Sequence, residues 1–251
     1  SALFDATNKN NGTVFINNDD LIIRKNADKY IRKITYGFNG SVDVKGKVLG
    51  YTNDGRTKIE IKYKRQNFSI DVPLFGEANA KNFLAASAIA LYLGLTKNKI
   101  LKAVKNIKNV RGRLNVKKFE KAVIIDDTYN ASPTSVESAV QLISKIKVFK
   151  KKIVILGDIF ELGVRSAAYH KDLSKLFNPG KSIIVLTIGS NMKYLHKELL
   201  KKNVRSIHFQ QREELSLYLK YEEVDNSVIL VKGSRGMKME EFVNIMEKRF
   251  E

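Results

Sequence analysis

The sequence predicts an α/β protein: a doubly wound, mostly parallel sheet domain in the second half, preceded by a partial α/β unit. Three observations carry this expectation. From Val123 onward, short β-branched runs alternate five times with amphipathic segments. Each run is continuously apolar, as strands covered on both faces require. Residues 1–111 break that rhythm, with strand-like segments that lead directly into a helix pair.

In chain order, residues 42–51, 58–63 and 67–72 are strand-like, and Asn53-Asp54-Gly55 between the first two is a hairpin turn signal. A long apolar helix is expected over 80–93, closed by Gly94 at a C-cap position, and a second helix over 97–107. Strands followed by a helix pair resemble the back half of a domain. The helical pattern stops at Val110-Arg111-Gly112-Arg113, which sets the domain boundary between 1–111 and 112–251.

Beyond it, strands are expected at 123–126, 153–156, 183–188, 206–209 and 228–231. In the first intervening segment Val136, Ala139, Val140 and Ile143 recur at i, i+3, i+4 and i+7 and share one helix face. Thr134 and Glu137 are expected to form its capping box, with Pro133 just ahead. Further helices fit at 167–176, 192–202, 213–221 and 239–250.

Composition narrows the function classes. The chain contains no cysteine, which excludes disulfide scaffolds, thiolate metal sites and cysteine nucleophiles. The N-terminal residues Ser1-Ala2-Leu3-Phe4-Asp5 show no secretory signal pattern. The apolar stretch 83–95 is short of the roughly 20 residues that cross a bilayer. A soluble, cytoplasmic protein without membrane insertion is expected. The net charge of +19 is spread as +11 over residues 1–111 and +8 over 112–251, and comes from 34 lysines against 11 arginines. Dispersed lysine suits solvated faces first and anionic small ligands second; no nucleic-acid partner is expected, because no basic, aromatic-interleaved stripe is present.

Ligands of open parallel sheets bind beyond the carboxyl ends of the strands. There the sequence places Asp126-Asp127-Thr128-Tyr129-Asn130, then Gly157-Asp158 with Glu161, then Gly189-Ser190-Asn191, and finally Lys232-Gly233-Ser234-Arg235. Carboxylates, amides, hydroxyls and two cations on one edge suit a ligand bearing both an amine and a carboxylate. A phosphate-binding G-x-x-x-x-G-K-[ST] loop is absent: Gly46-Lys47 is followed by Val48, and Gly180-Lys181-Ser182 has Lys175 where the first glycine should stand. His170, His196 and His208 have no metal-ligand spacing, so no metal site is expected.

The stretch Asp126-Asp127-Thr128-Tyr129-Asn130-Ala131 resembles the D-[ST]-Y-N-A signature of the Mur ligases, within them the branch that adds D-alanyl-D-alanine to the peptidoglycan precursor. Other segments agree in order. Gly76-Glu77-Ala78-Asn79-Ala80-Lys81-Asn82 with Ala85-Ala86 is similar to G-x-H-N-x-x-N-x-x-A-A, and Arg111-Gly112-Arg113-Leu114 to the G-R-L linker. The run from Leu156 through Gly163, with His170 downstream, is similar to G-D-M-x-E-L-G…H, and Val231-Lys232-Gly233-Ser234-Arg235 to V-K-G-S-R. Val14-Phe15-Ile16-Asn17-Asn18-Asp19-Asp20 resembles the strand and N-x-D-D of the family's central domain. Ala78 departs from the pattern, standing where the family has histidine.

The resemblance implies a Rossmann-like C-terminal domain and the back half of a central ATPase domain. The family's P-loop, magnesium-binding histidine and carbamylated lysine would lie upstream of this chain, as would the substrate-binding N-terminal domain. It implies ATP and Mg²⁺ as cofactors, a UDP-linked muramoyl peptide and D-alanyl-D-alanine as substrates, and a monomer. The reaction would pass through an acyl phosphate, and this chain alone is not expected to turn over. By the same resemblance Asn79 would meet the adenine, Arg113 the phosphates and Asp127 the ribose, with Tyr129 and Asn130 lining the cleft. Asp158, Glu161, Lys232, Ser234 and Arg235 would bind the dipeptide, Lys232 could instead neutralise the acyl phosphate, and His170 would either line this substrate cleft or pack its own helix. Asp126 reads as structural. Two alternatives remain: a related ATP-dependent amino-acid ligase with another acceptor amine, and a non-catalytic basic α/β binding protein.

Overall fold

The computed structural model describes residues 2–52, 56–180, 182–221 and 224–251. The turn signal at Asn53-Asp54-Gly55 lies outside the described residues. The chain divides into two units, Ser1–Lys108 and Asn109–Glu251.

In the first unit, α1 (Ala2–Lys9), β1 (Val14–Asn17), α2 (Leu21–Lys25) and β2 (Lys33–Gly37) precede β3 (Val44–Tyr51), β4 (Arg56–Tyr63) and β5 (Gln66–Phe75), followed by α3 (Glu77–Tyr92) and α4 (Lys97–Val104). The sheet order is β1-β2-β3-β4-β5, parallel across the first two pairings and antiparallel across the last two. Ile59, Ile61 and Tyr63 of β4 alternate inward and meet Phe68, Ile70 and Val72 of β5 on the same face. That face packs on Ala80, Leu84, Ala88 and Leu91 of α3. Helix α3 begins three residues before the expected start, because Glu77 and Ala78 complete its first turn, and Gly94 follows its end at φ 86°. Helix α4 stops at Val104, three residues short of the expectation.

In the second unit, β6 (Asn115–Lys118), β7 (Ala122–Asp127), α5 (Pro133–Lys145), β8 (Lys151–Gly157), α6 (Ser166–Asp172), β9 (Ile183–Ile188), α7 (Met192–Lys201), β10 (Ser206–Phe209), α8 (Arg212–Tyr221), β11 (Ser227–Lys232) and α9 (Glu240–Phe250) follow in order. A 3-10 turn, Leu173–Leu176, extends α6. The sheet order is β10-β9-β8-β11-β7-β6, parallel except for the β6–β7 edge. The doubly wound expectation is met. Val123, Ile125, Val154, Leu156, Val185, Val228 and Leu230 face one layer with α5 and α7. Their neighbours Ile124, Ile153, Ile155, Leu186, Ile229 and Val231 face the other layer with α8 and α9.

Two local expectations are corrected. Helix α5 is capped by Ser132, whose hydroxyl accepts from the Ser135 N–H while Ser135 reciprocates, so Thr134 and Glu137 are not the box. Pro133 occupies the first turn, where its missing N–H costs nothing. Strand β6 was not anticipated, since Asn115-Val116-Lys117-Lys118 shows no apolar run; its pairing with β7 supplies the strand. Among the described residues no helix is long and apolar enough to cross a membrane.

Candidate functional site

Strand β11 inserts between β7 and β8, so the loops after these three strands converge at one edge of the second unit. At the end of β7, Asp126 accepts from the Thr128 N–H (3.3 Å) and hydroxyl (2.7 Å), shaping the turn. Asp127 lies beside Lys232 in the β7–β11 register, and its Oδ2 receives Lys232 Nζ at 2.6 Å. The other oxygen of Asp127 accepts from the Leu114 N–H at 3.2 Å. Lys232 also donates to the Asn130 carbonyl at 2.9 Å, and its side chain is only 2% exposed. A lysine so enclosed cannot turn to an anion without abandoning a buried carboxylate. In this structure Lys232 fastens the loop after β7.

Asp158 and His170 also have partners within the protein. The Asp158 carboxylate accepts from the backbone N–H groups of Asn191 (3.0 Å) and Met192 (2.8 Å), from Ser190 Oγ (3.3 Å) and from Asn191 Nδ2 (3.3 Å). It caps the positive end of α7 across the sheet and is buried, with no capacity left for an ammonium. Gly189, at φ 114°, is what admits it, since a Cβ there would lie 2.5 Å from the carboxylate. His170 is fully buried; its Nε2 accepts from the Ile159 N–H (3.1 Å) and its Nδ1 lies 2.8 Å from the Ser166 carbonyl. That assigns the proton to Nδ1 and makes the ring a brace behind the loop after β8.

Ser234 is buried too, and it stitches two loops together. Its hydroxyl accepts from the Phe160 N–H (2.8 Å), and its own N–H donates to the Asp158 carbonyl (3.0 Å). The loop carrying Glu161 is thereby locked to the loop carrying Arg235. Glu161 is exposed, holds φ 62°, and has no ion-pair partner among the described residues. The other carboxylates of this edge, Asp126, Asp127 and Asp158, are all engaged within the protein.

The exposed cations lie around Tyr129. The Arg113 guanidinium carbon is 4.2 Å from the centre of the Tyr129 ring, and that of Arg235 is 5.0 Å from it. Neither arginine makes an ion pair among the described residues. The Tyr129 N–H donates to the Gly112 carbonyl (2.9 Å), which with the Leu114–Asp127 bond fixes the segment bearing Arg113. Asn130 is exposed, its Oδ1 accepting only from the Ala131 N–H among the described residues. Each of these residues was expected separately; the meeting of positions 113, 129 and 235 on one ring had no signal in the sequence, because they are distant along the chain.

Asn79 belongs to the first unit. It sits in the opening turn of α3, where its Nδ2 donates to the Phe75 carbonyl at 2.8 Å and leaves Oδ1 and one N–H for another partner. Outside the edge, His196 and His208 stack with ring centres 5.8 Å apart; burial lowers the pKa of both below the ordinary value. No group of three His, Cys, Asp or Glu side chains among the described residues could hold a metal ion.

Comparison with known proteins accounts for both units. Residues 1–90 match the Mur ligase middle domain, and residues 112–235 match the Mur ligase glutamate ligase domain. The chain belongs to the Mur ligase family. The UDP-N-acetylmuramoyl-tripeptide–D-alanyl-D-alanine ligase of Bacillus subtilis (strain 168) is 32% identical over 212 residues, covering 83% of this Mur ligase chain and 46% of that protein. A MurF crystal structure from Acinetobacter baumannii superposes with a TM-score of 0.79 at 26% identity, over 94% of this chain and 52% of that one. The MurF ligase from Thermotoga maritima, solved in complex with ADP, shares the fold at 24% identity and a TM-score of 0.79, over 95% of this chain and 54% of that one. This Mur ligase chain thus spans about half the length of the relatives it matches.

Proposed function

We propose that the protein carrying this chain is an ATP-dependent ligase that joins D-alanyl-D-alanine to a UDP-N-acetylmuramoyl-tripeptide in peptidoglycan synthesis. The observation that carries the reading is the charge arrangement at the sheet edge: two guanidinium groups, Arg113 and Arg235, and one carboxylate, Glu161, that make no ion pair among the described residues, on loops bound to each other. A dipeptide zwitterion needs a carboxylate for its ammonium and a cation for its carboxylate. A phosphoryl group needs further positive charge. The activity for which the relatives are named supports the same substrates.

On this reading the tripeptide carboxylate attacks the γ-phosphoryl group of ATP, giving an acyl phosphate and ADP. The dipeptide amine then displaces phosphate. Both steps gather negative charge, so the chain's task is to hold reactants and to stabilise anions. Arg113 faces the phosphates, Glu161 takes the ammonium and Arg235 the dipeptide carboxylate. Tyr129 and Asn130 line the site. Asp127, which accepts one bond on each oxygen and keeps 13% of its side chain exposed, has lone pairs left for ribose hydroxyls, and Asn79 of the first unit has spare amide groups that suit an adenine edge. Lys232, Asp158, His170 and Ser234 hold the loops that carry these groups. The middle and C-terminal matches support residues 1–111 as part of the central ATPase domain and 112–251 as the C-terminal domain. Phosphoryl transfer of this kind uses magnesium, and no group of three His, Cys, Asp or Glu side chains among the described residues could hold that ion.

The test is a competition assay on the native full-length protein with ATP and UDP-muramoyl tripeptide. ADP should form with D-alanyl-D-alanine and not with free amino acids. Preference for an amino acid would assign the chain to a ligase with another acceptor amine.

A further inference from the structure

We propose that Tyr129 is a positioning residue that holds Arg113 and Arg235 together as one anion clamp, so that the nucleotide and dipeptide sites share a single anchor. The inference rests on the proposed ligase reading for the identity of the two ligands, and on the structure for the anchor itself.

Arg113 enters at the start of the second unit and Arg235 follows its last strand. Both guanidinium groups lie within 5.0 Å of the centre of the same ring. Two like charges gathered without an acidic partner repel each other, and an exposed arginine has many competing rotamers. An aromatic face opposes both effects, because its negative quadrupole attracts each cation and its flat surface limits where the planar group can lie.

The backbone that carries the ring is itself well fixed. The Tyr129 N–H donates to the Gly112 carbonyl at 2.9 Å. Gly112, at φ 74°, brings its backbone against Tyr129 so closely that a Cβ would lie 2.9 Å from the Tyr129 nitrogen. The following residue, Asn130, is held through its carbonyl by the buried Lys232. The Tyr129 hydroxyl makes no hydrogen bond among the described residues, so the ring face is the part that matters here.

A purely structural tyrosine would affect stability. An anchor affects two ligands at once and acts only through its arginines. Exposed cation–π contacts correspond to about a two- to fivefold change per arginine.

The experiment uses the native full-length protein and the variants Tyr129→Leu, Tyr129→Phe, Arg113→Ala and Tyr129→Leu/Arg113→Ala. Calorimetric titration measures ADP binding, and steady-state kinetics measure the KM for D-alanyl-D-alanine. Tyr129→Leu should weaken ADP binding and raise the dipeptide KM, each about two- to fivefold. Tyr129→Phe should bring both back to within about twofold of the parent. With Arg113 removed, Tyr129→Leu should no longer change ADP binding.

Loss of ADP affinity that is equal with and without Arg113, or that Phe fails to rescue, would overturn the anchor. So would a Leu variant that binds both ligands as the parent does. Absence of dipeptide-dependent turnover in the parent would instead refute the ligase reading, while the ADP cycle would still decide whether Tyr129 acts through Arg113.

Discussion

Replacing Lys232 by Met tests whether the Lys232–Asp127 pair holds the site together. The methionine keeps most of the apolar stem but removes the charge that faces Asp127 Oδ2 at 2.6 Å and the donor to the Asn130 carbonyl at 2.9 Å. Removing one partner of a buried pair costs about 3–5 kcal/mol, because the other charge is left without compensation. Asp127 retains 13% side-chain exposure and its bond from the Leu114 N–H, which favours the lower end, about 3 kcal/mol. For a unit of this size that corresponds to a fall of roughly 10 °C in melting temperature. The assay is urea unfolding read by hydrogen exchange on peptides from β7 and β11, so that only the second unit is scored. Replacing both residues, Lys232→Met with Asp127→Leu, should recover stability to within about 1 kcal/mol of the parent, since no charge is then stranded. A single-variant loss below about 1 kcal/mol, or a double variant less stable than Lys232→Met, would refute the reasoning.

Four further outcomes follow from named contacts. Burial lowers the pKa of His196 and His208 below 6.5, and their mutual repulsion adds to the effect on His208. The unfolded chain therefore takes up these protons first, so stability should be full above about pH 6.5 and fall as pH drops below it; urea midpoints between pH 7.5 and 5 should show a shallower fall in His196→Gln/His208→Gln. Gly189→Ala should destabilise the second unit by about 2 kcal/mol or more in urea unfolding, because it combines a strained backbone at φ 114° with a Cβ lying 2.5 Å from the Asp158 carboxylate. Asp158→Asn should cost about 2 kcal/mol and raise hydrogen exchange at the start of α7, where the carboxylate accepts from two backbone N–H groups. Glu161→Gly should make the protein about 0.5–1 kcal/mol more stable by relieving φ 62°, yet raise the dipeptide KM about tenfold or more in the native full-length protein through loss of a charge-assisted bond.

Much of the second unit was legible in the sequence because its strands are buried on both faces. The run Ile183–Ile188 is apolar but for Thr187, and the structure places every residue of that strand in the interior. The edge strand β6 was not legible, since an exposed strand carries lysines and takes its conformation from its neighbour. The cap of α5 was misplaced by two residues because Ser132, Thr134 and Ser135 are all competent caps, and only Pro133 in the first turn selects among them.

The polar residues of the site were legible as a set but not in their tasks. Periodicity and loop position put Asp127, Asp158, Glu161, Lys232 and Arg235 at one edge. Which carboxylate stays open depends on partners distant along the chain: the start of α7 engages Asp158, Lys232 engages one oxygen of Asp127, and neither engages Glu161. The same holds for His170, whose burial follows from packing behind Ile159 and not from its own neighbours in sequence.

The central claim, that the protein carrying this chain ligates D-alanyl-D-alanine, is tested most directly by ADP release from the native full-length protein. ATP and UDP-muramoyl tripeptide would be present in every reaction, with the dipeptide added or omitted. The account predicts that ADP and the pentapeptide product form in equal amounts, and that product formation depends on the dipeptide. ADP release without product, or equal product with a free amino acid in place of the dipeptide, would contradict it.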